Sequence, residues 1–302
     1  MPIYQKTHHL TTSDNANIAL HQIGNDNNDK SVFLSHGAFS DKRICMGLAN
    51  FLVVHGYTCY IIEWRGHSLS SPDNKNHFLK NNPIDNTINL ENIARHDFKA
   101  AFDYLYNNLN IKQLHCITHS GGGICLTMFL SFYPNYINRI HSMTMVACQA
   151  FGAADNLLAY IRLYLARFIT KMIGFIPAKI LKLGIINESY AMMKSWFDWN
   201  LNKQFTSMDK TIDYKDTAKN INIPLYCLCA ADDKIIAPVS GCEKFFNLFT
   251  HPNNQFKVFG LDNDNLENYN HKRIMLSKNA SREVWRDILE WINQHNERQI
   301  TP

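Results

Sequence analysis

In LHCITHSGGGICLTMFL, residues 114–130, a β-rich run enters Thr118-His119-Ser120-Gly121-Gly122 and an apolar run of helical character leaves it. A strand, a serine at a sharp turn and then a helix form the context of a nucleophile elbow. A serine on such a turn sits in a strained backbone conformation, so the positions two residues before and after it must be small. Gly122 meets that requirement, whereas Thr118 stands where the G-x-S-x-G pattern has glycine and is a tighter fit. The other reading of such a stretch is a glycine-rich helix start that binds phosphate. Against it, the P-loop lysine is missing and the glycine spacing is not that of a dinucleotide site.

Outward from this centre, short β-rich runs alternate with longer segments of helical period. That pattern predicts a mostly parallel sheet flanked by helices, the α/β class. The central strands are read at Val32, Thr58, Leu114, Ser142, Leu225 and Phe256. Between the second and third, Leu90, Ile93, Ala94, Ala101, Phe102, Leu105 and Leu109 recur at three- and four-residue spacing, as do Val284, Trp285, Ile288, Leu289 and Ile292 near the end, each marking an amphipathic helix. Ahead of Val32, the segments Ile3 to Leu10 and Ile18 to Ile23 read as a hairpin closed by the polar turn at Ser13 to Asn15. The alternation breaks between about Phe151 and Asp216, a stretch with helical patterning and no convincing strand. It is too long for an ordinary loop. The expected organisation is therefore a core made of 1–150 and 217–302, with 151–216 inserted as a helical cap or lid over a pocket.

The 302 residues suffice for one large domain with such an insertion. The formal charge of +4 arises from 30 basic and 26 acidic residues scattered along the chain, with no like-charged block of the kind that binds nucleic acid. The 8 cysteines lie mostly in apolar runs such as YTCYII and LYCLCA, with no CxxC pair, and read as buried free thiols of a reducing compartment. The start, MPIYQKTHHLTTSDNAN, has no basic end followed by a long apolar stretch, and no run of about 20 apolar residues suggests a membrane span. A cytoplasmic location is the expectation, with transient contact at a lipid surface left open. No cofactor is expected, and no metal-ligand spacing is visible.

Serine alone is a weak nucleophile. It needs a base to take its proton and a third group to hold that base in the right tautomer. On an elbow of this kind the partners follow in the order Ser, then Asp or Glu, then His. After LYCLCA comes Ala230-Ala231-Asp232-Asp233-Lys234-Ile235-Ile236, where Asp233 precedes the apolar pair that returns to the core; Asp232 is the alternative. Tyr269-Asn270-His271-Lys272 places His271 in a polar loop before the terminal helix, a better position than that of His251. Acyl transfer also needs donors for a developing oxyanion. Gly121, just after the serine, offers one N–H. In FLSHGAF, Ala38, or alternatively Phe39, offers the second, and His36 reads as a structural residue.

With LSHGAFSDKR, IIEWRGHSLSS, THSGGG, AADDKIIAP and YNHKRIMLS in place, the chain resembles α/β-hydrolase-fold esterases and lipases over nearly its whole length. ENIARHDFKAAFDYLYNNLNIKQLHCITHS and the terminal YNHKRIMLSKNASREVWRDILEWI resemble the acid-lipase branch. The resemblance implies cleavage of fatty-acyl esters beneath a helical cap. It carries the catalytic roles onto Ser120, Asp233 and His271 and the oxyanion roles onto Ala38 and Gly121. Two positions depart from the family's pattern, Thr118 at the elbow and Ser68 in WRGHSLS.

Overall fold

Strands covered on both faces read as mostly apolar runs rather than alternating ones, and β3 (Ser31–Ser35), β4 (Thr58–Glu63), β5 (Leu114–His119) and β9 (Leu225–Ala230) are buried throughout, polar residues included. The computed structural model describes residues 3–25, 30–67 and 85–296; Ser68 lies outside them. With β1 (Gln5–Thr11), β2 (Asn17–Ile23), β6 (Ile140–Val146) and β10 (Gln255–Phe259), these strands form one eight-stranded sheet in the order β1-β2-β4-β3-β5-β6-β9-β10. Pairing is antiparallel from β1 through β2 to β4 and parallel from β4 onward. The expected hairpin is present, its turn closed by Thr12 and Ala16 with Asn15 at positive φ. Each strand predicted from the sequence is found within two residues of its expected start.

Two apolar layers cover the sheet. On one side, Phe33 packs with Phe98 and Phe102 of α2 (residues 90–108), and Phe102 in turn with Phe129 of α3 (Gly121–Phe132). On the other, Val32 and Leu34 share a cluster with Ile44, Leu48 and Leu52 of α1 (Arg43–Val54) and Ile288 of the terminal helix (Val284–Gln294). Adjacent residues of β3 thus face opposite layers, as a pleated strand requires. The predicted spacing in α2 holds, although Ile93–Phe98 and Tyr104–Asn108 widen to π-helical turns.

Between β6 and β9 lie α4 (Leu157–Ile173), β7 (Phe175–Ile176), β8 (Glu188–Ser189), α5 (Tyr190–Asn202) and α6 (Tyr214–Ala218). Asn156 caps α4 by accepting from the Ala159 amide, and Gly174, at φ 89°, ends it in the left-handed conformation a helix stop favours. Two expectations need correcting here. The stretch 151–216 contains a ladder, Phe175 with Ser189 and Ile176 with Glu188, too short to leave an alternating pattern in the sequence. Its expected end at 216 falls inside α6, which starts from the Asp213 cap and packs on α3, so α6 goes with the sheet.

All eight cysteines are buried and unbridged. No described helix is long and apolar enough to cross a membrane, and no cluster of metal-ligating side chains occurs among the described residues.

Candidate active site

The central strand β5 delivers its last residue to the carboxyl edge of the sheet, and the chain reverses there into α3. Ser120 occupies that corner at φ 53°, ψ −124°, a conformation L-residues rarely adopt. Its amide donates to the Val146 carbonyl on β6 at 2.9 Å, and its carbonyl accepts from Gly123 at 3.0 Å. Crowding explains the glycines. A Cβ at Gly122 would lie 2.6 Å from the His36 carbonyl oxygen, and one at Gly37 would lie 2.7 Å from the Ser120 Cβ. Thr118 fits where the pattern has glycine because the next position along, Gly123, gives way: a Cβ there would sit 3.1 Å from the Thr118 hydroxyl and 2.6 Å from Cys148 Sγ. The Thr118 hydroxyl donates to the Thr144 carbonyl, so the buried polar group is satisfied.

The fold brings Ser120, His271 and Asp233 together across 151 and 38 residues of sequence. His271 Nε2 stands 2.9 Å from Ser120 Oγ, and its Nδ1 is hydrogen-bonded to Asp233 Oδ2. An ionised carboxylate only accepts, so Nδ1 carries the proton and Nε2 presents its lone pair to the serine hydroxyl. Burial acts to raise the Asp233 carboxyl. The His271 ring and the Ile236 and Ala237 amides outweigh it and hold the group below its ordinary value, as a carboxylate. The alternative, Asp232, points into solvent; its backbone N–H donates to the Tyr269 carbonyl at 2.8 Å, pinning the aspartate turn to the histidine loop. His251 accepts from the Asn253 amide within its own turn and takes no part in the site.

His36 behaves as the sequence suggests. It is fully buried against Trp64, its Nδ1 donates to the Gly37 carbonyl at 2.8 Å, and its Nε2 accepts from the Trp64 amide. Burial pushes its pKa down to about 3, so it stays neutral and shapes the loop.

Three residues were not anticipated from the sequence. His119 Nε2 donates to the His271 carbonyl at 2.8 Å and fixes the backbone of that loop, and burial lowers its pKa to about 3. Glu188, on β8, accepts from the Phe39 amide at 2.7 Å and pairs with His67 Nε2 at 3.1 Å. The Phe39 carbonyl in turn accepts from the Ile185 amide at 2.9 Å. Phe39 sits at φ 63°, clasped on both sides by the segment that precedes α5. Its N–H is spent on Glu188 and is therefore not open to a substrate oxygen. Burial works to lower the His67 pKa, but Glu188 outweighs it and the net direction is upward. A histidine raised in the folded state stabilises fully below its unfolded value of about 6.5, and that stability is lost as pH rises through the raised folded value. The melting-temperature gap between wild type and His67→Gln should therefore be widest below about pH 6.5 and shrink as pH rises above it. A gap that widens with pH would contradict a charged His67–Glu188 clasp.

Over Ser120 lies a cavity of about 530 Å³ whose walls include Leu90, Ile124, Leu183, Met193, Trp196 and Ile236. It is mostly apolar, and Ser120, His271, Gly121 and Ala38 are part of its lining. Such a pocket holds an apolar group against a small polar centre.

Residues 30–175 match the family described as alpha/beta hydrolase fold. Over 156 residues the sequence is 26% identical to Lipase 3 of Drosophila melanogaster, a match covering 48% of this chain and 39% of that protein. The chain thus spans about two fifths of the length of that curated relative. Among solved structures, an esterase from Pyrococcus furiosus superimposes with a TM-score of 0.61 at 17% identity, over 97% of this chain and 92% of that one. A monoacylglycerol lipase from Paleococcus ferrophilus superimposes at 0.58 and 17% identity, over 98% and 100%. At such identities the structural likeness speaks to the fold, and it agrees with the sheet order and elbow described above. The chain has the α/β-hydrolase fold, with distant likeness to lipases and esterases.

Proposed function

We propose that this chain hydrolyses carboxylic esters, with lipid-like acyl groups favoured, through an acyl-enzyme on Ser120. The observation that carries the reading is the hydrogen-bonded series from Ser120 Oγ through His271 to Asp233, with Ser120 and His271 lining a mostly apolar cavity. In this scheme Ser120 Oγ attacks the ester carbonyl as His271 Nε2 takes its proton. The oxyanion is held by the Gly121 and Ala38 amides, the first of them at the positive end of α3. His271 then returns the proton to the departing alcohol. A water, deprotonated by the same ring, releases the acid and restores the serine. Asp233 stabilises the imidazolium throughout. No metal or cofactor enters any step.

The apolar walls favour a hydrocarbon acyl chain. Part of that wall, Leu183, Met193 and Trp196, comes from the segment between β6 and α6, which supports reading that segment as a cap that sets acyl specificity. The test is turnover of p-nitrophenyl esters of graded chain length beside matched thioesters and anilides. Ester turnover that rises with chain length supports the proposal. Turnover confined to thioesters or anilides would replace it with a thioesterase or peptidase on the same residues.

A further inference from the structure

Helix α4 turns its large apolar side chains away from the protein. On one side, at three- and four-residue spacing, fall Ala159, Leu163, Ala166 and Thr170, and these face inward: Leu163 and Thr170 are buried and Ala166 packs on the core. On the opposite side fall Leu158, Ile161, Leu165, Phe168, Ile169 and Met172, all exposed, Met172 to 73%. A helix serving only to cover a core does the reverse. Single exposed hydrophobics are ordinary, whereas a contiguous face of them marks an interaction surface. The strap that follows adds Ile180, exposed to 79%, and Leu181.

Charge identifies the partner. From Leu157 to Asn187 the only charged side chains are Arg162, Arg167, Lys171, Lys179 and Lys182, with no carboxylate among them. Arg167 is paired with Asp198 on α5; the others give this surface a cationic character. A second copy seated on the same face would set these cations against themselves in a two-fold contact. An anionic lipid surface satisfies both features at once, taking the apolar face among acyl chains and the cations at the headgroups. The helix is about 26 Å long at the standard rise per residue, and no described helix can cross a membrane, so α4 would lie in the interface plane.

We propose that the outer face of α4 docks this protein onto anionic lipid surfaces. Leu183, Gly184 and Ile185 of the same strap line the cavity over Ser120, so docking brings the cavity rim to the lipid. That last consequence rests on the ester-hydrolase reading; the docking itself does not.

The test is flotation of the Ser120→Ala protein, which leaves the lipid intact, with vesicles of phosphatidylcholine alone or mixed with phosphatidylglycerol. The same protein carrying Leu165→Asp and Phe168→Asp is run beside it. Binding to the anionic vesicles should exceed binding to neutral ones by about tenfold or more and weaken with salt. The two substitutions should lower it by about tenfold or more. With Ser120 intact, they should leave the melting temperature and the hydrolysis of a short water-soluble ester unchanged. If the double variant fails to fold, Met172→Asp gives the same readout at the exposed end of the helix. Absence of anionic-vesicle binding, or equal binding by the substituted protein, overturns the proposal. So does a dimer in solution that the same substitutions abolish, since a second copy would then occupy this face. Vesicle binding without ester turnover would remove the hydrolase reading and leave the docking in place.

Discussion

Ser120→Ala is expected to lower kcat on an ester substrate by about a million-fold, with the fold intact. The substitution removes the atom that the proposed scheme acylates, Oγ, 2.9 Å from His271 Nε2. It leaves the Cβ at the corner and does not change the backbone problem there, since alanine bears the same cost at φ 53° as serine does. The Ser120 amide bond to Val146 and the glycine contacts around the turn are untouched. Circular dichroism and the melting temperature should match wild type. Residual activity of about 10³- to 10⁴-fold over water is what donors and binding alone supply. A folded mutant retaining wild-type turnover would place the nucleophile elsewhere.

Asp233→Asn should cost about ten-thousand-fold in kcat, although it changes hardly any volume. An amide can donate to His271 Nδ1 where the carboxylate could only accept. The ring is then driven to the tautomer with its proton on Nε2, facing Ser120 Oγ with no lone pair to offer. The charge that steadies the imidazolium is lost as well. Because Asp233 is only 4% exposed, water does not restore what the carboxylate provided. Asp232→Asn is the matched control. That side chain points into solvent and the residue's tie to Tyr269 runs through its backbone N–H, so its kcat should stay close to wild type. Comparable losses at both positions would undo the choice between the two aspartates.

The elbow was legible in the sequence because its requirements are local: a β-run, a serine, small neighbours and a helix within residues 114–130. Chain order then narrowed the acid and the base; His271 stands beside Ser120, and Asp233 beside His271. The roles of Glu188 and His119 were not legible. Glu188 meets Phe39 across 149 residues of chain, and a lone glutamate in a helical stretch carries no mark of the amide it will accept from. His119 sits at a variable place in the elbow pattern, and its bond to the His271 carbonyl exists only once the two loops meet. The β7–β8 ladder is too short to impose a period on its residues. In α4 the periodicity announced a helix, but only packing reveals that Leu163 and Thr170 face inward while Phe168 and Met172 face out.

The central claim is that His271 and Asp233 activate Ser120, and covalent trapping tests it most directly. Folded wild type would be treated with a fluorophosphonate, digested and mapped by mass spectrometry, beside His271→Ala and the heat-unfolded chain. The account predicts a single adduct on the Ser120 peptide of the folded wild type, with none on the His271→Ala protein or the unfolded chain. An adduct on another residue, or an unlabelled Ser120 in folded wild type, would contradict it.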